Sequence, residues 1–120
     1  MTLSQKRRLL NEAISSKRAI TFVYRGEDFN RIGNPHAFGY GSDNTNNTYL
    51  RFYQTAGGSS RPLLEIDPKG ANFRLMLVDE MEDIEILNEE FEPHETYRCC
   101  DSAIDWNRMP NSQVGDDCSC

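Results

Sequence analysis

The sequence predicts a mainly β fold with an N-terminal helix: a small, partly closed barrel of five short strands, followed by an acidic C-terminal tail. Three observations predict it. Apolar residues recur at helical spacing only near the N-terminus. Short segments rich in β-branched and aromatic residues follow, separated by clusters of Gly, Pro, Asn and Ser. From Glu92 onward apolar residues thin out, with Ile104 and Trp106 as the exceptions. A chain of 120 residues fits one domain. The barrel is expected over residues 1–91 and the tail over 92–120. Closure is expected because it removes strand edges that would otherwise template aggregation.

Residues 3–16 read as the helix. Thr2 and Gln5 have the spacing of a capping box, and Leu9, Leu10, Ala13 and Ile14 make its apolar stripe. Residues 19–25 have high β propensity, with Ile20, Phe22 and Tyr24 on one face. Gly26-Glu27-Asp28 is a turn. Residues 29–40 carry Pro35, which lacks a ladder donor, so an irregular or edge strand is expected there. Residues 42–47 are loop chemistry. The clearest strand is Thr48 to Thr55, with Leu50 and Phe52 facing one way and Tyr49, Arg51 and Tyr53 the other. Residues 57–71 read as an insertion that packs by Leu63, Leu64 and Ile66. Phe73 to Val78 and the stretch around Ile84, Ile86 and Leu87 complete the set. The tail is expected to be disordered or to dock by Ile104 and Trp106, with folding back over the barrel edge favoured.

Charge is unevenly spread. Residues 1–75 hold 11 Lys and Arg against 6 Asp and Glu, whereas residues 76–120 hold 2 against 13. The acidic part can shield the basic part or solvate an exposed edge. The overall acidity argues against unspecific RNA binding, which rests on cations. No apolar run approaches the roughly 20 residues of a membrane helix, and no signal-peptide stretch follows the basic N-terminus. A cytoplasmic protein is expected, with no membrane partner.

All four cysteines, Cys99, Cys100, Cys118 and Cys120, lie at the C-terminal end. A disulfide framework would spread them through the fold. Adjacent Cys99 and Cys100 are poorly placed to hold one zinc ion, which prefers longer knuckles. Free thiols are therefore expected ahead of tail disulfides or a metal site, and no cofactor is expected.

The two histidines, His36 and His94, have no nucleophile or base at a recognisable spacing, and no phosphate-cradling glycine loop is present. An enzyme is not expected. A binding face is. Tyr49, Arg51 and Tyr53 share one side of a strand, where rings can stack on a base and Arg can fork onto phosphate. Arg74 on a neighbouring strand, Arg31 and His36 on the proline-containing strand, and Tyr24 with Arg25 at the end of the first complete a candidate anion or nucleotide cleft. The same residues also suit a solvated sheet face with cross-strand Tyr packing and Arg–Glu pairs.

A family pattern matches in order. Leu10-Asn-Glu-Ala-Ile14 leads into Ile20-Thr-Phe-Val-Tyr-Arg25. Pro35 is followed by Phe38. Thr48-Tyr49-Leu50 stands where the family has Trp-Tyr-Leu, and Arg74-Leu-Met-Leu-Val-Asp-Glu-Met81 precedes Ile84-Glu-Ile-Leu87 and Phe91. This series, about two-thirds of the chain, resembles WYL domains. Thr48 replaces the family's Trp, Glu80 stands where an Arg is usual, and the insertion at 57–71 is long. The resemblance implies an Sm-like or SH3-like five-stranded barrel. It also implies a non-enzymatic regulator that senses a nucleotide or short nucleic-acid ligand, with Tyr49 and Arg74 at positions facing it. WYL domains usually sit beside helix-turn-helix domains in bacterial regulators, including those of defence systems. The alternative is a stand-alone inhibitor or accessory protein, viral or carried on a mobile element, that binds a partner protein through the barrel and acidic tail. A homodimer is expected, because pairing covers exposed strand edges.

Overall fold

The computed structural model describes residues 1–115 and 117–120. Its single helix, α1 (Leu3–Ser16), starts where the capping box requires. The Thr2 hydroxyl accepts from the Gln5 amide at 3.2 Å, and the Gln5 side chain accepts from the Thr2 amide at 2.7 Å. Lys17 ends the helix in the left-handed region, its N–H reaching Ala13 and Ile14 carbonyls. Leu10, Ala13 and Ile14 enter the core. Lys6 ties the helix to the far end of the sheet, donating to the Asp79 carbonyl and to Glu82, both at 3.0 Å.

Six antiparallel strands follow: β1 (Arg18–Tyr24), β2 (Asn30–Tyr40), β3 (Thr48–Gly57), β4 (Phe73–Leu77), β5 (Met81–Glu90) and β6 (Ser112–Gln113). They form one sheet in the order β4-β3-β2-β1-β5. Long β2 pairs with β1 through its first half and with β6 through its second. The sheet coils until Tyr24 of β1 reaches Leu77 of β4, where the Leu77 N–H donates to the Tyr24 hydroxyl at 3.1 Å. The end strands β4 and β5 are joined by the short 3-10 turn Val78–Glu80 but do not pair, so the sheet is not closed. The core lies inside the coil and under α1. Phe22 and Phe52 meet edge to face at 4.9 Å, with Ile20, Phe38, Leu50 and Met81 around them. A buried side chain of this size contributes about 1.5–3 kcal/mol.

Four expectations are corrected. The strands number six, because the tail supplies β6. The proline-containing strand is central, not an edge. A register shift between Pro35 and Ala37 forms a bulge there, so the ladder does not need the missing donor. Of the three apolar residues expected to pack the insertion, Leu63 is half-buried, but Leu64 and Ile66 are 50% and 84% exposed. Polar staples hold it instead. The Asp67 carboxylate accepts from the Ala71 and Asn72 amides, and the Asn72 amide group pairs with both backbone groups of Leu64. Finally, the cysteines are not free. Cys99 is bonded to Cys118 and Cys100 to Cys120. The adjacent cysteines that looked unsuited to one metal ion serve two separate bridges. Disulfides persist in oxidising surroundings, so this pairing does not support a cytoplasmic setting. Among the described residues, no helix is long and apolar enough to cross a membrane.

The described residues after Phe91 return to the sheet. Ile104 and Val114 are buried, Gly41 bridges to Ile104, and the Trp106 indole donates to the Asp101 carbonyl at 3.0 Å.

Candidate functional site

Cross-strand partners share a face of a sheet. Tyr49 pairs with Leu77, Arg51 with Leu75 and Tyr53 with Phe73, whereas Arg74 pairs with Phe52. Arg74 therefore stands on the core side and Tyr49 on the other. The expectation that they share one outward wall is corrected by this register. The seven predicted site residues fall into two groups.

The first group lies at the open seam of the coil. Tyr24, Arg31, Tyr49 and Arg74, four of the seven, line a cavity of about 450 Å³ that runs between the β1–β2 turn and the free edge of β4. Arg25 and Arg61 line it too, and among the described residues Glu27 is the one acid. Arg74 sits at its inner side, only 5% exposed. Among the described residues, its terminal nitrogens donate to neutral oxygens alone: the Ala71, Phe73 and Arg61 carbonyls and the Ser59 hydroxyl, at 2.9–3.4 Å. Its Nε is buried without a partner among the described residues. Burial pushes the Arg74 guanidinium below its ordinary value, and the charges of Arg61 and Arg31 push the same way, against a smaller opposing pull from the Asp67 carboxylate. Arg31 is forked onto Glu27 at 3.0 and 2.9 Å and donates to Gln54 at 3.1 Å. Its guanidinium also lies over the Tyr24 ring, 5.4 Å from the centroid. Tyr49 reaches the seam from the outer face, its hydroxyl donating to Asp43 at 2.9 Å.

The second group, Arg51, Tyr53 and His36, is covered by the insertion and the C-terminal segment. Arg51 forks onto Asp101 at 2.7 and 3.3 Å. Burial raises the Asp101 carboxyl, but the hydrogen bonds from Arg51 and the Ala103 amide, with the Arg51 charge, hold it below its ordinary value. Tyr53 donates to Asp67 at 2.8 Å and stacks on the His94 ring at 4.6 Å. Burial and the Asp67 carboxylate push its hydroxyl up to about 12. His36 is fully buried among the rings of Tyr53, Phe73, Phe91 and Tyr97. Its Nε2 accepts from the His94 amide at 3.0 Å, which places the proton on Nδ1, facing the Asn34 carbonyl at 2.9 Å. Burial lowers its pKa to about 4, so the ring is neutral. These three residues tie the sheet to the segments that cover it, and Arg51, whose side chain is 27% exposed, also lines a separate cavity of about 410 Å³ with Phe73, Tyr97 and Arg98.

Sequence reasoning missed Arg61. It lies in an insertion with no periodicity, where nothing signals which way a side chain points. It also missed Asp67, His94 and Asp101, whose role depends on which part of the sheet the loops cover. Among the described residues, no group of three His, Cys, Asp or Glu is arranged to hold a metal ion. Set against protein-family models, curated proteins and solved structures, the chain matches none.

Proposed function

We propose that this protein is a non-enzymatic ligand-binding regulatory module of the WYL type, with an Sm-like strand arrangement, that takes a nucleotide or short nucleic-acid ligand in the seam groove. The single observation that carries the reading is Arg74: a guanidinium withdrawn from water, given only neutral acceptors, and facing Arg31 and Arg61. A buried charge is costly unless it meets an opposite one, and Arg74 has no ion pair among the described residues, only the more distant charge of Asp67. An anionic ligand supplies it. The ordered resemblance from Leu10 to Phe91 supports the same reading. The test is isothermal titration of nucleotides and short oligonucleotides into the full chain. Binding that weakens with salt and is lost in Arg61→Glu is expected. Silence from every anion tried rejects the reading.

A second reading, partner-protein binding, is supported by β5. It is an end strand of the sheet, and Glu82, Asp83, Glu85, Glu89 and Glu90 are exposed along it. Such an edge suits a basic protein surface. Reversing Glu85, Glu89 and Glu90 to Lys abolishes partner capture on this reading and leaves nucleotide titration unchanged.

A further inference from the structure

We propose that the seam groove reads the phosphate chain of its ligand and not the base, so that its ligand class is a diphosphate or triphosphate group, free or carried on any nucleotide. This rests on the reading of the groove as a nucleotide site.

Reading a base takes an exposed ring for stacking, or donors and acceptors aimed at the base edges. The groove holds two rings: Tyr24 is withdrawn, and Tyr49, half-buried, is fixed at its hydroxyl and against Gly41. Tyr24 is 7% exposed, its hydroxyl is engaged by the Leu77 amide, and the guanidinium groups of Arg25 and Arg31 lie over its ring. Tyr49 is anchored by its hydroxyl to Asp43, and its ring packs so closely on Gly41 that a Cβ there would strike it. The one carboxylate, Glu27, is already forked by Arg31. Leu75, Met76 and Leu77 supply the β4 wall.

What remains free is positive charge. Arg25 and Arg61 are exposed, Arg74 lies beneath, and among the described residues none of the three is ion-paired. Four arginines against one glutamate leave a formal surplus of three positive charges around this cavity. That surplus matches a diphosphate or triphosphate group, whose several oxygens can be shared among forked guanidinium donors. The unpartnered Nε of Arg74 is a second sign that a strong acceptor belongs here. An extended peptide added as a strand fits less well. The Leu77 amide is held by Tyr24, the Phe73 amide by the Gly70 carbonyl, and the Phe73 carbonyl by Arg61 and Arg74. Both ends of the β4 edge are thus occupied, and only the stretch around Leu75 is open.

The experiment titrates inorganic tripolyphosphate, ATP, GTP, CTP and adenosine into the oxidised full-length chain at two salt concentrations. Tripolyphosphate and the three nucleotides are expected to bind within about threefold of one another, and adenosine not at all. Arg61→Ala, at an exposed loop position, is expected to weaken all four by a common factor of about ten. Arg74→Lys keeps the charge but loses the fork, and is expected to weaken them together as well. Nucleotides that bind while tripolyphosphate does not, or that differ by more than about tenfold among bases, overturn the phosphate reading and leave the nucleotide site standing. Failure of every anion overturns both.

Discussion

Arg51 of β3 and Asp101 of the C-terminal segment are joined by a fork, Nε to Oδ2 at 2.7 Å and a terminal nitrogen to Oδ1 at 3.3 Å, across a sequence gap of 50 residues. The pair locks the returning chain onto the outer face of the sheet. Asp101→Asn removes the charge and leaves Arg51 half-satisfied. It is expected to cost about 1–3 kcal/mol, read from urea unfolding at pH 7. The Asp101 carboxyl is held below its ordinary 3.8, so the stability it brings is present above that value and is lost as pH falls through the folded-state pKa. The variant should therefore lose less stability than the parent on acidification below pH 4. An equal loss in both would show that the fork carries no net energy.

The disulfides close chain segments with sequence separations of 19 and 20 residues. Each such loop is worth about 3 kcal/mol when it constrains an otherwise open chain. The two bridges nearly coincide, so the second closes a loop already closed. Serine replacement of either pair alone is expected to cost little, and replacement of both to cost about 3 kcal/mol. Urea midpoints of the three variants, with and without reductant, measure this. Equal, additive losses would contradict the shared loop.

His36 has its pKa lowered from 6.5 to about 4 by burial. Between those values the unfolded chain binds a proton that the folded one does not. Stability is therefore fully present above pH 6.5 and falls as pH drops towards 4, by about 3 kcal/mol in all. Below pH 4 this loss levels off. Protonation also ends the Nε2 acceptor that holds the His94 amide, so Tyr53 and the segment after Phe91 should loosen first. His36→Gln is expected to lower stability at pH 7 and to flatten the profile between pH 6.5 and 4.5. A profile as steep as the parent's would place the titration elsewhere.

Tyr24→Phe removes one oxygen, the acceptor for the Leu77 amide across the open seam. The expected cost is about 1 kcal/mol. The sharper readout is local: exchange of the Leu77 amide with solvent should quicken, while amides at the β2–β3 centre keep their protection. Unchanged exchange at Leu77 would mean that the seam is held by something other than this bond.

Local pattern made much of the fold legible. The helix bounds follow from Thr2, Gln5 and the Leu10–Ile14 stripe, and the alternation in β1 and β3 correctly puts Ile20, Phe22, Leu50 and Phe52 inside. Of the candidate site, Tyr24, Arg31, Tyr49 and Arg74 do meet at one groove. They meet there because the groove wraps the edge of β4, and not because they share a wall.

Periodicity is a property of one segment, and it determined what one segment can determine: helix or strand, and which side chains alternate together. Registry between segments, the covering of Arg51 and Tyr53 by Asp101 and Asp67, the central place of Pro35 and the pairing of four cysteines were decided by the tertiary structure. Each depends on the distance between residues far apart in the chain. That distance is set only when the sheet coils and buries its apolar face, and a one-residue change of register moves every side chain to the opposite side.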